Sequence, residues 1–410
     1  MGTFFTRERF GKPQLLAAGL LVIFLGQCVW LVTRTATPSE VDTSDLFRAQ
    51  EGLRQWRGLA IAGQPSDGRT ESLTALPIEI EDNEGYDPNH SPLWYLLASL
   101  PLTGPEWWQA RAVPYWGWLM RVPNIVFGLL LGASLWYVSH RLYGYAGGYI
   151  ALALYCFSPV ILSNCALAAL RPEMGAAWGA FGAVFTAIAV AHTLYAPREV
   201  VLWNSRRILL LGLALALAVG SQFSLIVVVL VSLVLLLYVA HCRRGAALAI
   251  WLAACVVGAV LFCGAYAFVP LAIRQGVRHA HFFGTTWQSF TMPRAYLGAL
   301  ASIVKSGPAV PIMLVTALAT YAVWPRVRYF GNTAPLLIAG LFLALGMSMP
   351  HYPGLGFQLM ALPFAFIFVA GVAADLIDTG QGTVVTACVW GLLAADGLWN
   401  LVQLARIGKG

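Results

Sequence analysis

The sequence predicts an all-α polytopic membrane protein. Of its 410 residues, 59% are hydrophobic and only 10% are charged, and the mean hydropathy is +0.71. Soluble domains carry about 25% charged residues because their surface must face water. Apolar runs of roughly 15 to 25 residues recur along the chain, and the alternating pattern of a membrane barrel is absent from it. The chain therefore has the composition of a bundle of membrane-spanning helices.

The apolar runs predict about eleven transmembrane helices. Short basic turns separate them, and Lys and Arg at the cytoplasmic ends of spans orient a protein in its membrane. We therefore attribute the net charge of +7 to basic residues that orient the protein in its membrane, rather than to a nucleic-acid-binding surface. The predicted spans are 15–33, 121–139, 145–162, 174–195, 208–221, 223–240, 245–270, 307–324, 335–349, 357–376 and 383–403.

The start of the chain predicts a cytoplasmic N-terminus. Arg7, Arg9 and Lys12 precede a run from Leu15 to Val32 that is longer than the core of a signal peptide, so we expect a retained first span. The first large loop then lies outside. The seven cysteines lie mostly within spans, without CxxC or metal-type spacing, as small apolar side chains do.

The external loop at 34–120 carries most of the acidic charge. It holds eleven of the eighteen Asp and Glu residues before position 92. The segment DLFRAQEGLRQW, which begins at Asp45, has the apolar spacing of a short amphipathic helix on the membrane surface. Asp45 would lie in its first turn, where a carboxylate meets the positive end of the helix. The Trp- and Tyr-rich pieces at 91–118 are expected to lie flat at the interface.

A second external segment, 271–305, is basic and contains no acidic residue. Opposite charges on two external loops would suit an anionic lipid headgroup beside a catalytic carboxylate. We divide the chain into a module at 1–240, which includes the loop 34–120, and a module at 241–410, which includes the loop 271–305. The basic residues of the second segment are Arg274, Arg278, His279, His281, Arg294 and Lys305.

Four sequence features occur in an order that resembles a known family. They are the early external Asp, the box NHSPLWYLLASL, the stretch that begins RVPNIVFGLLLG, and the turn ALRPEM. In this order and spacing they resemble the GT-C superfamily of membrane glycosyltransferases, over about residues 10–240. The similarity is to the bacterial branch related to protein O-mannosyltransferases and lipid A aminoarabinose transferases.

The resemblance implies sugar transfer from a polyprenyl-phosphate-linked donor on the outer face of a bacterial inner membrane. A loop carboxylate would act as general base on the acceptor or bind a divalent cation through its oxygens. Asp45 best matches the family's early acid and Asp42 is the alternative; both are also the candidate metal ligands. The two depart from the family's adjacent Asp-Glu pair, which leaves the identity of the base open.

The remaining site candidates would bind the donor and its lipid phosphate. His90 matches the His of the family box, with Ser91 in place of a Pro, and Arg171 and Glu173 match the turn before the fourth span. Basic side chains hold phosphate and stabilise charge on the leaving group. The lipid-phosphate candidates are Arg171, Glu173, His90, Arg274, Arg278, His279 and His281.

Each candidate residue could also have a purely structural role, without taking part in catalysis. Asp45 could be a capping or solvated carboxylate, and His90 could only shape the turn before Pro92. Arg171 could pair with Glu173 or a lipid headgroup, and the basic loop could touch anionic membrane lipid.

Two further functions stay open at this stage. A non-catalytic GT-C-like subunit of a larger membrane complex, with membrane-protein partners, is the alternative function. A transporter is disfavoured because acids within spans are few; Asp396 is one, and the sequence leaves it unexplained.

Overall fold

The computed structural model describes residues 12–35, 43–65, 86–167, 171–195, 204–282, 297, 301, 303–305, 307–348, 356–379 and 382–407. These residues form helices joined by turns, and no strand occurs among them. Six of the helices are long and apolar enough to cross a bilayer, and shorter apolar helices accompany them. The predicted fold class, an all-α polytopic membrane protein, is confirmed.

The helices follow the predicted spans and interfacial pieces in order. They are α1 (Lys12–Thr35), α2 (Thr43–Trp56), α3 (Pro92–Ser99), α4 (Glu106–Ala112), α5 (Trp116–Leu119), α6 (Val122–Cys156), α7 (Pro159–Ala166), α8 (Glu173–Thr193), α9 (Asn204–Ser221), α10 (Ile226–Val239), α11 (Arg244–Ala265), α12 (Pro270–His279), α13 (Ala309–Val323), α14 (Phe330–Ser348), α15 (Gly356–Ile377) and α16 (Gly382–Ile407). Single 3-10 turns join several of them, for example Phe223–Leu225 between α9 and α10.

Two differences from the predicted elements are informative. The spans predicted at 121–139 and 145–162 meet within α6, where Gly144 has a φ of 70° and a ψ of −163° and interrupts the helix. Glycine adopts this conformation without strain, so the break falls where the sequence allows it. The basic loop begins with a helix, α12, to which the sequence analysis assigned no regular structure; Pro270 occupies its first turn.

The chain divides into two compact units, each built from separate stretches of sequence. The first comprises Met1–Thr35, Ile125–Leu167 and Thr285–Gly410, and the second comprises Ala36–Asn124 and Ala168–Gly284. The predicted module boundary near residue 240 concerns the order of sequence features and stays a prediction.

The second unit is packed through small residues. A Cβ on Gly179 of α8 would lie 2.6 Å from the backbone nitrogen of Ala218 on α9, and one on Gly212 of α9 would lie 2.7 Å from the carbonyl oxygen of Ala254 on α11. Membrane helices associate closely through such residues because lipid supplies no hydrophobic drive between them. This packing fixes the helices that carry the external segments of the unit.

In the first unit, Asp396 of α16 acts as a cap for another helix. Its Oδ1 accepts a hydrogen bond of 3.1 Å from the backbone N–H of Ala309, the first residue of α13, and the Asp396 side chain is 1% exposed. The first N–H groups of a helix have no partner within the helix, so a buried carboxylate there satisfies one of them. The acid that the sequence left unexplained has this structural role.

Replacing Asp396 by Ala should destabilise the protein by about 1–2 kcal/mol, the usual loss when a helix cap is removed. Asp396→Asn keeps an oxygen in the same place and should lose much less. Thermal unfolding of the purified protein in detergent compares the two variants with wild type. Equal losses in both would show that charge, rather than the cap, is what the site requires.

Candidate active site

The candidate site lies entirely in the second unit and begins at α2. The segment predicted to be a short amphipathic helix is helical, and Leu46, Ala49 and Leu53 recur at helical spacing and are buried, with exposed fractions of 6% or less. Asp45 lies in the first turn of α2 and forms an ion pair with Arg48, one turn later, over 3.2 Å. α2 thus holds the predicted acid at the start of a packed helix.

A second guanidinium lies within electrostatic range of Asp45. It belongs to Arg121, which immediately precedes α6 and donates to the carbonyl oxygen of Gly117. Arg121 opens the sequence stretch that carried part of the family resemblance. The Asp45 carboxylate therefore lies in a positive local field, which favours its ionised form.

The turn that precedes α3 holds a buried network centred on Asp87. Its carboxylate accepts a hydrogen bond from the hydroxyl of Tyr95 over 2.7 Å and lies 2.8 Å from Nδ1 of His90. It also accepts from the backbone N–H groups of Asn89 and His90, over 2.8 and 3.1 Å. The carboxylate is thereby fixed in one orientation, and it in turn fixes the imidazole of His90.

These contacts set the charge of Asp87. Burial alone would raise its pKa, but attraction to His90 and the hydrogen bonds from His90, Tyr95 and Asn89 outweigh it and lower the pKa to about 2. Asp87 is therefore ionised at every pH at which the protein would work.

Backbone hydrogen bonds from distant segments hold this turn in place. Ser91 donates to the carbonyl oxygen of Gly220 through its backbone N–H, over 3.1 Å, and through its hydroxyl, over 2.8 Å. Phe223 N–H donates to the carbonyl oxygen of Asn89 over 2.9 Å. Ser91 also caps α3 by accepting from the N–H of Leu93. The Ser that replaces the family's Pro thus makes three contacts that anchor the turn.

Glu173 is the most deeply buried acid of the site. It lies in the first turn of α8 with an exposed fraction of 2%, and its Oε2 has no hydrogen-bond partner among the described residues. Arg171, His90 and Arg48 all lie within its electrostatic range. A buried acid at the end of a membrane helix is costly unless it faces a polar cavity or a partner, so it is a strong candidate for function. Arg171 itself is exposed.

The basic segment reaches the same turn through α12 and the residues after it. The imidazole of His279 stacks on the ring of Tyr86, with 4.2 Å between ring centroids. His281 N–H donates to the carbonyl oxygen of Pro88 over 2.7 Å. Gln64, from the first loop, donates to the carbonyl oxygen of Ala272 on α12 over 2.8 Å. The acidic and basic segments are therefore in direct contact.

The basic side chains themselves point outward. Arg274, Arg278, His279 and His281 are exposed, so none of them is committed to a buried ion pair. Of the other predicted site residues, Asp42 lies outside the part of the chain that the structure describes. Arg48, which pairs with Asp45, and His90 both lie within electrostatic range of Glu173, and the basic segment borders this group at Tyr86 and Pro88.

Glu51 is an acid that the sequence analysis passed over. It lies on α2 and accepts a hydrogen bond of 2.7 Å from the N–H of Gly63. Burial raises its pKa from 4.5 to about 7, and nearby Asp87 adds to that, against the opposing effects of Gly63 and Arg54. Near neutral pH the Glu51 carboxyl is therefore protonated in much of the population.

Replacing Glu51 by Gln should remove a pH dependence of stability. A raised pKa means that the folded protein binds a proton more tightly than the unfolded chain. The resulting stabilisation is complete below about pH 4.5 and is lost as the pH rises through about 7, up to an upper limit of about 3 kcal/mol. Glu51→Gln stays neutral and keeps an oxygen for Gly63, so it should be more stable than wild type at pH 8.

Thermal unfolding in detergent at several pH values between 5 and 8 checks this. The wild type should lose stability across that interval relative to Glu51→Gln. Parallel curves for the two proteins would contradict the assignment.

The sequence analysis missed Asp87, Glu51, Tyr95 and Arg48. Asp87 lies three residues before the His of the NHSPLW box, and Tyr95 lies within that box, so the box itself was the available signal. Among the described residues, no three His, Cys, Asp or Glu side chains form a group that could hold a metal ion. The predicted cation at Asp42 and Asp45 stays a prediction because Asp42 is outside the described residues.

Comparison with known proteins finds likeness in structure and none in sequence. No family model and no curated protein sequence matches the chain. ArnT from Cupriavidus metallidurans bound to undecaprenyl phosphate aligns with a TM-score of 0.56 at 13% identity, over 96% of this chain and 73% of ArnT. The archaeal oligosaccharyltransferase AglB from Archaeoglobus fulgidus, in complex with an inhibitory peptide and a dolichol-phosphate, aligns with a TM-score of 0.53 at 11% identity.

The same oligosaccharyltransferase tethered to an acceptor peptide aligns with a TM-score of 0.54 over 98% of this chain. This chain spans only 56% of the length of AglB. ArnT and AglB are both GT-C membrane glycosyltransferases. The chain has the GT-C fold, as its sequence motifs predicted, and is a multi-pass membrane protein.

Proposed function

We propose that this chain, with its GT-C fold, is a glycosyltransferase that moves a sugar from a polyprenyl-phosphate-linked donor to an acceptor at the outer face of a bacterial inner membrane. The observation that carries the proposal is the convergence in one unit of His90 and of the Asp45–Arg48 ion pair on the buried Glu173. Two acids and a histidine held at helix ends form the kind of constellation that acid–base chemistry on a sugar requires. The lipids crystallised with ArnT and AglB are consistent with this donor class.

In the proposed reaction, Asp45 is the general base. The acceptor group attacks C1 of the sugar, the Asp45 carboxylate takes the acceptor proton, and the bond from C1 to the phosphate oxygen breaks. Arg48 and Arg121 place positive charge beside the Asp45 carboxylate, the group that accepts the proton. Asp45 meets the requirement for a base that is charged before the reaction starts.

The phosphate of the donor needs positive charge. Arg171, Arg274, Arg278, His279 and His281 are exposed and therefore open to an anionic ligand. In the proposal they hold the lipid phosphate as it leaves, together with His90. Glu173, which also faces Arg171, would accept hydrogen bonds from sugar hydroxyls. A divalent cation at Asp42 and Asp45 would supply further positive charge, and no step above depends on it.

A direct assay tests the proposal. The purified chain is placed in proteoliposomes with polyprenyl-phosphate sugars that differ in the sugar, a crude membrane extract supplies acceptors, and transfer is followed with a radiolabelled sugar. Wild-type protein should transfer at least one sugar at a rate that Asp45→Asn does not reach. If wild-type protein neither binds nor consumes any polyprenyl-phosphate donor, the proposal is wrong.

The non-catalytic alternative has one observation in its favour. The chain spans only about half of the length of AglB. A large part of AglB therefore has no counterpart in this chain. Under this alternative the chain would purify with membrane-protein partners in fixed ratio and without a bound polyprenyl lipid. Mass spectrometry of the purified protein distinguishes this outcome from an active transferase.

A further inference from the structure

The Asp87–His90 pair has more hydrogen bonds than a turn before a helix requires. Asp87 accepts four hydrogen bonds, two from side chains and two from backbone N–H groups. A carboxylate with that many donors is fixed in position and stays charged. Only one of the four donors, Nδ1 of His90, belongs to an imidazole ring, which has a second nitrogen that can also carry a proton.

The contact also decides which nitrogen of His90 can react. An ionised carboxylate at 2.8 Å from Nδ1 requires a hydrogen on that atom, since Asp87 can only accept. Nε2 is then the ring atom through which His90 exchanges a proton with another group. A carboxylate behind a histidine sets the tautomer and orientation of a reacting imidazole in the same way in hydrolytic enzymes.

The surroundings of His90 place it among the other candidates of the site. His90 and Arg48 both lie within electrostatic range of Glu173, and Arg48 is paired with Asp45. The turn of His90 is anchored by Gly220, Phe223 and His281 through backbone hydrogen bonds. Hydrogen bonds therefore hold the turn of His90 in place at the centre of the site.

We infer that Asp87 is a positioning residue that orients His90 to donate an Nε2 proton to the phosphate of the leaving lipid. This inference rests on the proposed function. As the bond between C1 and the phosphate oxygen breaks, both of its electrons go to that oxygen, which takes the proton from protonated His90. The acceptor gives its proton to Asp45, and the leaving phosphate receives one from His90, so the number of protons on the reacting groups is unchanged. Exchange with water later removes the proton from Asp45 and returns one to His90.

Asp87→Asn should lower kcat by about 10- to 100-fold, within the range of a lost acid–base contribution. The KM for the donor should stay within about twofold, because Asp87 does not touch the donor. His90→Gln should lose at least as much. The double variant should be no more than about threefold below His90→Gln, since residues that act as a unit are not additive. Asp378→Asn, the control, removes an exposed carboxylate from the other unit and should stay within about threefold of wild type.

A second measurement does not depend on activity. The ring nitrogens of His90 are observed by ¹⁵N NMR in protein labelled at histidine, and its signals are identified by their absence from His90→Gln. In the neutral ring, Nδ1 should carry the hydrogen. A neutral ring protonated at Nε2 would overturn the inference even if the protein transfers sugar.

The kinetic results separate the two proposals. Multiplicative losses in the double variant, or full activity of Asp87→Asn, would overturn the positioning role and leave the transferase function standing. Absence of transfer by the wild type would overturn the proposed function and the acid role with it.

Discussion

Replacing Asp45 by Asn is expected to reduce sugar transfer by about 10²- to 10⁴-fold, the contribution of a positioned general base. Asn has nearly the size of Asp but cannot accept the acceptor proton. The fold should persist, because the ion pair with Arg48 is partly exposed and such pairs contribute about 1 kcal/mol or less. Transfer rates in proteoliposomes and thermal unfolding in detergent are the two measurements.

Two comparisons make this result specific. Asp378→Asn removes an exposed carboxylate from the end of α15 in the other unit and should leave transfer unchanged. Asp42→Asn addresses the alternative base: if it abolishes transfer while Asp45→Asn remains active, the base is Asp42. Full activity of both variants would remove the loop acids from the mechanism.

Replacing Gly52 by Val should abolish transfer without changing any residue proposed to react. A Cβ at Gly52 of α2 would collide with the carbonyl oxygen of Tyr95 and with Oγ of Ser99, both on α3. Backbone cannot give way as a flexible side chain does, so α2 has to move away from α3, at a cost of about 1–3 kcal/mol. That movement takes Asp45 away from the turn that holds His90.

The control for this variant is Gly245→Val, at the start of α11 in the same unit, where an added Cβ meets nothing within 4 Å. It should change neither transfer nor the melting temperature appreciably. Retention of transfer by Gly52→Val would mean that the spacing of α2 and α3 does not matter for the site.

The sequence predicted the membrane helices well because their signal is local. Whether a run of apolar residues is long enough to span a bilayer depends only on that run. The helical spacing of the apolar residues in 46–53 likewise needs only a few turns of sequence to be recognised. The GT-C fold was predicted from the order and spacing of four motifs, and the chain aligns in structure with ArnT although the two are only 13% identical. These properties can be read from neighbouring residues alone.

The composition of the site could be predicted only in part. Asp45, His90 and Glu173 stand in recognisable motifs. Asp87 was indistinguishable from the other acids of its loop, because what sets it apart is burial beside Tyr95 and His90. Arg171 and Glu173 were both predicted from the turn before the fourth span, yet the structure buries Glu173 and leaves Arg171 exposed. Burial depends on contacts between distant segments, and no local pattern records it.

The anchoring of the 86–91 turn has a consequence for how the protein is made. Its hydrogen bonds run forward in the chain, to Gly220 and Phe223 around the start of the α9–α10 turn and to His281 after α12. During synthesis the first loop therefore leaves the ribosome long before these partners exist. A chain arrested after α8 would carry every acid of that loop, Glu173 and the local hydrogen bonds of Asp87, yet would lack the later segments that anchor the turn. The anchored turn, and with it the candidate site, would form only after the helices through α12 have been inserted.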